Sequence, residues 1–376
     1  MADRAEVAVI MVNYRTPELV VGGLRRAARD FAGAGVEVEG LVVDNSGDFE
    51  PPADPIIPLV VCRPGENIGY GRALNQAVDA TRARWLILQN PDVEVQPGCL
   101  PRLVETLRNG VAAAGPRLYW DRDCRLLMPP LERRRMIDES LRAVAGAWPA
   151  FTPLARRRWR RHARFHWTAT GPVTSFELSG AILAVRRDVW SEVGPMDHGY
   201  RLYFEEQDWL LRLQRAGHKA FHVPDAVAVH AGGRAVARQP AAARWFEQSH
   251  ARFRRRHLGS TAESALRRVE RWRHSVPGRA PGARIMPAAG EPPTVRLPGG
   301  AAWVEIAIHR RGFPAAAEQL PNARASCWQL PTDVWLRREA DLFATVVDER
   351  GRELQARQRL SEGAGEDQNR SVSARV

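Results

Sequence analysis

Lysine is almost missing from this chain of 376 residues: Lys219 is the only one, and arginine supplies the rest of its 55 basic residues. A GC-rich coding sequence accounts for that bias without any function. Cysteine is scarce too. Cys62, Cys99, Cys124 and Cys327 are widely spaced and form no CxxC pair. This argues against a disulfide framework and a zinc site, and suits a reducing cytoplasm. No apolar run approaches the roughly 18 residues that a membrane span needs. The N-terminal Met1-Ala2-Asp3-Arg4-Ala5-Glu6 carries acids and runs straight into a strand pattern, unlike a signal peptide. No internal repeat is visible. With 44% apolar and 26% charged residues, the composition is that of a globular protein.

What is abundant is arginine, and it is concentrated. Residues 133–164 hold ten Arg against Asp138 and Glu139, and residues 252–273 hold eight against Glu263 and Glu270. Their combined excess exceeds the net charge of +12, so the remainder is slightly acidic. Arg156-Arg-Arg-Trp-Arg-Arg161 and Arg252-Phe-Arg-Arg-Arg256 mix Arg with aromatic residues. Such a face suits an anionic membrane surface, nucleic acid phosphates, or plain solvent. Beyond charge there is no nucleic-acid signature, so a nucleic-acid partner is not expected.

The first part of the chain alternates strands and helices. Val7–Asn13 and Gly40–Asp44 read as buried strands, Val60–Val61 as a short third strand and Trp85–Gln89 as a fourth. Pro17–Phe31, Asn67–Ala83 and Pro97–Asn109 read as helices. Continuously apolar strands alternating with helices indicate an α/β fold with a mostly parallel sheet covered on both faces. Residues 121–172, basic and Trp-rich, break the pattern as a partly helical insertion; it resumes from Glu177 to about Arg234. One or two basic helices are expected within 240–275, and a Pro/Gly linker over 276–300. Strand patterns at 302–308, 326–330 and 342–347, with a turn at Asp348–Gly351, predict a small β-rich domain over 301–360. A disordered tail is expected over 361–376, and the α/β domain spans 1–275.

Polar residues gather just after the strand ends, where open α/β sheets bind ligands. Asp44 ends a strand and can accept from a nucleobase N–H or a ribose hydroxyl, or simply cap an Asx turn. Asn13-Tyr14-Arg15-Thr16 could form the neighbouring wall. Asn67-Ile68-Gly69-Tyr70-Gly71 with Asn75 opens a helix with glycines, which brings backbone N–H groups towards a phosphate. Asn90-Pro91-Asp92-Val93-Glu94 follows a strand. In an extended chain Asp92 and Glu94 point the same way. One carboxylate with diphosphate oxygens suits Mg²⁺ or Mn²⁺, though a Pro turn gives the same pattern. Ser179-Gly180-Ala181 opens another strand. Phe204-Glu205-Glu206-Gln207-Asp208-Trp209 sets acids where a core should close, followed by Arg212 and, further on, Val229-His230. Carboxylates so placed bind a cation, move a proton, or start a helix favourably.

In this order the segments resemble the family-2 glycosyltransferases with the GT-A fold, in particular their rhamnosyltransferase-like branch. The resemblance covers roughly residues 7–235, skipping the insertion and leaving the C-terminal region out. It implies an inverting transferase that takes a sugar from a nucleotide-diphosphate donor, dTDP-rhamnose or a UDP-sugar, to a glycan or lipid-linked acceptor. The setting implied is cell-surface polysaccharide assembly, in the cytoplasm or peripherally on the inner face of the plasma membrane. Carried over by position, Asn13, Tyr14, Thr16, Asp44, Asn67, Gly69 and Asn75 would hold the nucleotide. Asp92 stands at the metal-binding acid of the family motif, with Asn90 in place of the first acid. His230 matches a histidine that binds metal or diphosphate, so Mn²⁺ or Mg²⁺ is the implied cofactor. Glu206 falls on the catalytic acid, usually Asp, and Asp208 is the rival. Gly180, Glu205 and Arg212 would face the sugar or acceptor. A sugar-1-phosphate nucleotidyltransferase would need a Gly-rich loop after the first strand, and there is no glycine between Asn13 and Gly22. The alternatives are a basic nucleic-acid- or membrane-binding module, or a catalytically inactive carbohydrate-binding relative.

Overall fold

The computed structural model describes residues 5–230, 241–274, 291–321, 325–338 and 341–360. The expected linker up to residue 290, the expected tail over 361–376 and the end of the resumed pattern near Arg234 lie outside these residues.

The chain runs β1 (Val7–Asn13), α1 (Pro17–Asp30), β2 (Val38–Asp44), β3 (Leu59–Cys62), α2 (Tyr70–Ala80), β4 (Trp85–Gln89), β5 (Val93–Val95), α3 (Cys99–Arg108) and β6 (Ala113–Tyr119). Then come α4 (Met136–Ala147), a 3-10 turn at Pro149–Phe151, α5 (Thr152–Trp167), β7 (Val173–Thr174), β8 (Ile182–Arg186), α6 (Arg187–Val193), α7 (Glu205–Arg215), β9 (Ala220–His230), α8 (Ala242–Leu258) and α9 (Ser260–His274). The C-terminal part contains β10 (Thr294–Arg296), β11 (Trp303–Ala307), β12 (Ala316–Gln319), β13 (Cys327–Gln329), α10 (Thr332–Arg337), β14 (Leu342–Val347) and β15 (Gln358–Leu360). The expected α/β class and the small β-rich C-terminal region are both present. Among the described residues, no helix is long and apolar enough to cross a membrane.

Two compact units divide the chain, and not linearly. The first takes Met1–Leu118, Pro130–Glu139 and Phe165–Arg268; the second takes Tyr119–Pro129, Ser140–Arg164 and Val269–Val376. Most of the expected insertion therefore groups with the C-terminal strands rather than with the α/β domain.

In the first unit one sheet has the order β3-β2-β1-β4-β8-β6-β9-β5, with β7 paired to β9. β3, β2, β1 and β4 are parallel neighbours. β8 joins β4 antiparallel, and β5 and β7 run antiparallel to β9. β1 can occupy the centre because all seven of its residues are buried. α1 starts with Pro17 and buries Val20, Gly23, Leu24 and Ala27, one face at helical spacing. In the parallel register Asn13 lies beside Asp44, so two polar strand ends meet. α2 begins after Gly69, whose φ is +89°. A Cβ there would lie 2.8 Å from the Arg201 carbonyl oxygen, so both angle and space require glycine.

In the second unit β12, β11, β14 and β15 form an antiparallel sheet, and β10 pairs with β13. Trp303, Trp328 and Trp335 are buried in its core. Glu305, on the central strand β11, is only 1% exposed and is held by Arg160 from α5, Nη2 to Oε2 at 2.7 Å. Part of the arginine run thus neutralises a buried acid instead of coating a surface. The turn at Asp348–Gly351 forms, with Gly351 N–H donating to the Asp348 carbonyl at 2.9 Å. The returning strand starts only at Gln358. β10, which forms within the expected linker, and β12 and α10 were not anticipated, because Thr-Val-Arg is only three residues long, Ala-Ala-Glu-Gln carries no alternation and α10 is six residues long.

Candidate active site

The polar strand ends open on a cavity of about 360 Å³. Tyr14 follows β1, Asn67 and Gly69 precede α2, and Asp92 follows β4, all lining it. Gly180 lines it just before β8, Glu205 and Glu206 at the start of α7, and His230 at the end of β9. Eight of the residues singled out in the sequence are thus brought together from segments far apart.

Glu206 and Gly180 fit each other closely. A Cβ on Gly180 would fall 2.9 Å from Glu206 Cγ and 3.2 Å from its Cδ. Tyr70 Oη donates to the Gly180 carbonyl at 3.3 Å, fixing that strand edge from the α2 side. Burial pushes both Glu205 and Glu206 above the ordinary carboxylate range, and for Glu205 the charge of Glu206 adds to the effect. Glu205 is 2% exposed and its Oε2 has no hydrogen-bond partner. A basic, partly desolvated carboxylate pair in a cleft is suited to proton transfer.

The chain reaches this pair through unusual backbone. Tyr203 and Phe204 have φ of +68° and +71°. Left-handed angles at bulky residues cost about 1–3 kcal/mol each and persist only where surroundings over-determine them. Phe204 is 1% exposed and packs with Tyr200 and Phe253.

Asp92 Oδ1 lies 3.4 Å from His230 Nε2. β5 pairs with β9 so that Val93 faces His230, and this register brings Asp92 to the imidazole. One carboxylate and one imidazole, open to a cavity, can hold a divalent cation together with ligand oxygens. No group of three or more His, Cys, Asp or Glu with metal-holding geometry occurs among the described residues. Glu94 turns away from this pair, and its Oε1 lies 3.7 Å from Arg26 Nη2.

Six candidate residues do not line the cavity. Asp208 is fully buried and bonded to His257 Nε2 at 2.8 Å and to Arg212 Nε at 2.9 Å. Burial alone would raise its pKa, but those partners and the charges of Arg212 and Arg256 hold it below the ordinary value. That makes it a weak base facing the wrong way. Arg212 spends its donors on Asp208 and the carbonyls of Val193 and Pro195, so it latches α7 to the preceding loop. Asn75 exchanges two hydrogen bonds with the Met196 backbone, both 2.9 Å. Asp44 accepts from Asn13 Nδ2 at 2.8 Å and from the N–H groups of Gly47 and Phe49, both at 3.0 Å. Its pKa is lowered, since Asn13 and those backbone donors outweigh desolvation. Asn13 Oδ1 in turn accepts the Thr16 N–H at 3.1 Å. Asn13, Thr16 and Asp44 therefore shape the loops that present Tyr14 and Asn45 to the cavity.

Reasoning from sequence did not single out Leu131, Arg201, Leu202, Tyr203 and Trp245, which also line the cavity. Arg201 lies 4.9 Å over the Trp245 ring and donates to the Asn67 carbonyl at 3.2 Å. Leu131 and Trp245 adjoin segments conspicuous only for charge, and no local spacing marks them.

Residues 8–188 match the family model described as glycosyl transferase family 2. That stretch belongs to glycosyl transferase family 2. Two curated relatives, both named N-acetylglucosaminyl-diphospho-decaprenol L-rhamnosyltransferase, come from two strains of Mycobacterium tuberculosis. Each is 30% identical over 191 residues, which is 47% of this chain and 60% of the relative. The chain therefore spans less than two thirds of the length of these relatives. A mannosyltransferase from Pyrobaculum calidifontis, solved in complex with GDP-Man and Mn²⁺, aligns over 73% of this chain and 74% of its own. The identity is 18% and the TM-score 0.44. The family 2 match ends at residue 188, so it includes Asp92 and Gly180 but not the acid pair or His230. These join the family 2 segment's cavity through α7 and β9.

Proposed function

We propose that this chain is an inverting glycosyltransferase that moves a sugar from a nucleotide-diphosphate donor to a hydroxyl of a glycan or lipid-linked acceptor. The observation that carries the reading is Glu206, a carboxylate of raised pKa at the start of α7, in one cavity with Asp92 and His230. dTDP-rhamnose is the favoured donor, with a UDP-sugar next. The names of the mycobacterial relatives support rhamnose as the sugar and a diphosphate-lipid-linked sugar as the acceptor. Such an acceptor suits work at the inner face of the plasma membrane, in cell-surface polysaccharide assembly.

In this reading Tyr14, Asn45 and Asn67 border the nucleotide. Asp92 and His230 would hold Mn²⁺ or Mg²⁺, which when bound would neutralise charge on the departing diphosphate. The acceptor oxygen forms its bond to C1 of the sugar as the bond from C1 to the phosphate oxygen breaks. The electron pair of that bond leaves with the diphosphate. The acceptor hydroxyl proton passes to a carboxylate oxygen of Glu206. Attack from the face opposite the leaving group inverts C1, with no covalent intermediate. Glu205, buried beside it, is itself pushed up by burial and by the charge of Glu206, and in this reading lies on the sugar or acceptor side.

The membrane part of the reading narrows to one place. Trp148, Phe151 and Leu154 are 40%, 45% and 53% exposed, and Arg157 and Arg161 are exposed further along α5. Apolar side chains beside guanidinium groups suit an anionic lipid surface. The segment at 252–273 is less suited, since Arg252 and Arg254 are bonded to Asp197 and Glu139.

A thermal-shift panel of nucleotide diphosphates and sugar nucleotides, with and without Mn²⁺, tests the reading. A ligand that binds the native state raises its melting temperature, by mass action. A panel in which no nucleotide shifts the protein, with or without metal, removes it.

A further inference from the structure

Arg134 joins groups that the proposed reaction does not use. Its Nε donates to Gln207 Oε1 at 3.2 Å, and its guanidinium carbon lies 4.9 Å from the centre of the Phe204 ring. It therefore touches residues 204 and 207, the neighbours that bracket Glu205 and Glu206. Its Nη1 donates to Glu139 Oε1 at 3.0 Å. Glu139 is fully buried, and its Oε2 accepts from Arg254 Nε at 2.8 Å and lies 3.0 Å from His250 Nε2. His250 stacks on the same Phe204 ring, with centroids 5.0 Å apart and planes 10° from parallel. One buried carboxylate thus holds both polar side chains that grip Phe204, a residue whose left-handed backbone persists only where it is over-determined.

We propose that Arg134, held by Glu139, is a positioning residue that clamps the chain on both sides of Glu205–Glu206 and so sets where these carboxylates point. What the carboxylates do rests on the glycosyltransferase reading; the clamp does not. The planar guanidinium matters, because it offers Nε to Gln207 and Nη1 to Glu139 from fixed positions beside the Phe204 ring, whereas a lysine offers one nitrogen on a flexible stem. The Arg134 charge also faces Glu206 and opposes the effect of burial there. The other ionisable groups that act on or feel this carboxylate are Glu205, Tyr70 and Tyr203.

The test compares Arg134→Met, Arg134→Lys and Gln207→Leu. The last removes one arm of the clamp at a half-exposed position together with the Gln207 side-chain hydrogen bond to Glu206, so that Arg134→Lys, which leaves that bond in place, decides where the two differ. Hydrogen exchange at amides 203–208 reads the clamp without any substrate. It should speed up by about ten-fold or more in all three variants while the rest of the unit stays protected. Transfer from the sugar nucleotide selected by the thermal-shift panel then separates positioning from bulk stability. In Arg134→Lys and Gln207→Leu, kcat should fall by about 10- to 100-fold with donor KM held within about two-fold. Unchanged exchange at 203–208 in folded Arg134→Lys and Gln207→Leu overturns the clamp, and these two decide if Arg134→Met does not fold. Faster exchange with kcat unchanged also overturns it. If the unaltered protein transfers no sugar while exchange responds as expected, the glycosyltransferase reading fails and the clamp stands.

Discussion

Gly180 leaves the space that Glu206 fills: a methyl group on Gly180 would sit 2.9 Å from Glu206 Cγ and 3.2 Å from its Cβ. The two residues come from separate elements, the approach to β8 and the first turn of α7. The missing side chain on one strand edge is what lets the carboxylate reach the cavity.

Gly180→Ala should therefore displace Glu206 without unfolding the protein. A shift of about 1 Å at a reacting group can cost 10²-fold in rate, and a loss of that order in kcat is expected. Calorimetry should show nucleotide binding nearly unchanged. Full activity in Gly180→Ala would mean that Glu206 does not need its present place.

Glu206→Gln and Asp208→Asn should behave oppositely. The first keeps shape and removes basicity, so transfer should fall by about 10²–10⁴-fold with donor binding intact. The second should cost stability, about 3–5 kcal/mol as an upper range for breaking a buried pair, with activity following the folded fraction. The folded pKa of Asp208 lies below its ordinary 3.8, so its stabilisation is present above that pH and is lost as the pH falls towards the folded value. The acid limb of a stability curve should be shallower in Asp208→Asn. Loss of transfer in a fully folded Asp208→Asn would reverse the two roles.

Glu205→Gln should stabilise the protein near neutral pH. The folded pKa of Glu205 lies well above its ordinary 4.5, so the wild type loses stability as the pH rises above that value. The neutral amide escapes this, and the gain should vanish below about pH 4.5. Melting temperatures at pH 4 and 7.5 check it; an equal effect at both would show that Glu205 is not a strained acid.

Asp92→Asn and His230→Ala should each weaken the Mn²⁺-dependent part of nucleotide diphosphate binding, by about ten-fold or more if both are ligands. The metal-free affinity should change little. Titrations with and without chelator separate the two. Indifference to chelator in the wild type would leave His230 as a hydrogen-bond donor to the diphosphate.

Replacing Trp148, Phe151 and Leu154 together by Ser should reduce sedimentation with anionic vesicles, as should replacing Arg157 and Arg161 by Gln. Added salt should weaken binding of the wild type, because exposed charges are screened within a Debye length of about 8–10 Å. Equal sedimentation with neutral and anionic vesicles would remove the lipid surface.

Much was legible from the sequence because it follows from local periodicity. The continuous apolar runs of β1, β2 and β4 determined buried strands, and the polar residues ending them marked the side of the sheet on which the cavity opens. Tyr14, Gly69 and Asp92 could be singled out because they sit at such ends or at helix starts, whereas Gly180, Glu206 and His230 take their roles from the resemblance to family-2 glycosyltransferases. What sequence alone could not decide was direction. Glu206 and Asp208 are two residues apart on one helix and point to different surroundings, one into the cavity and one onto His257 and Arg212. The same holds for arginine: composition counts the charge, but whether Arg160 coats a surface or meets a buried Glu305 depends on packing between segments 145 residues apart. Arg134 and Trp245 reach the neighbourhood of the acid pair only after the chain has folded, and no spacing in the sequence encodes a contact made across that distance. Local pattern is set by neighbours along the chain, whereas the orientation and pairing of charged side chains are set by neighbours in space.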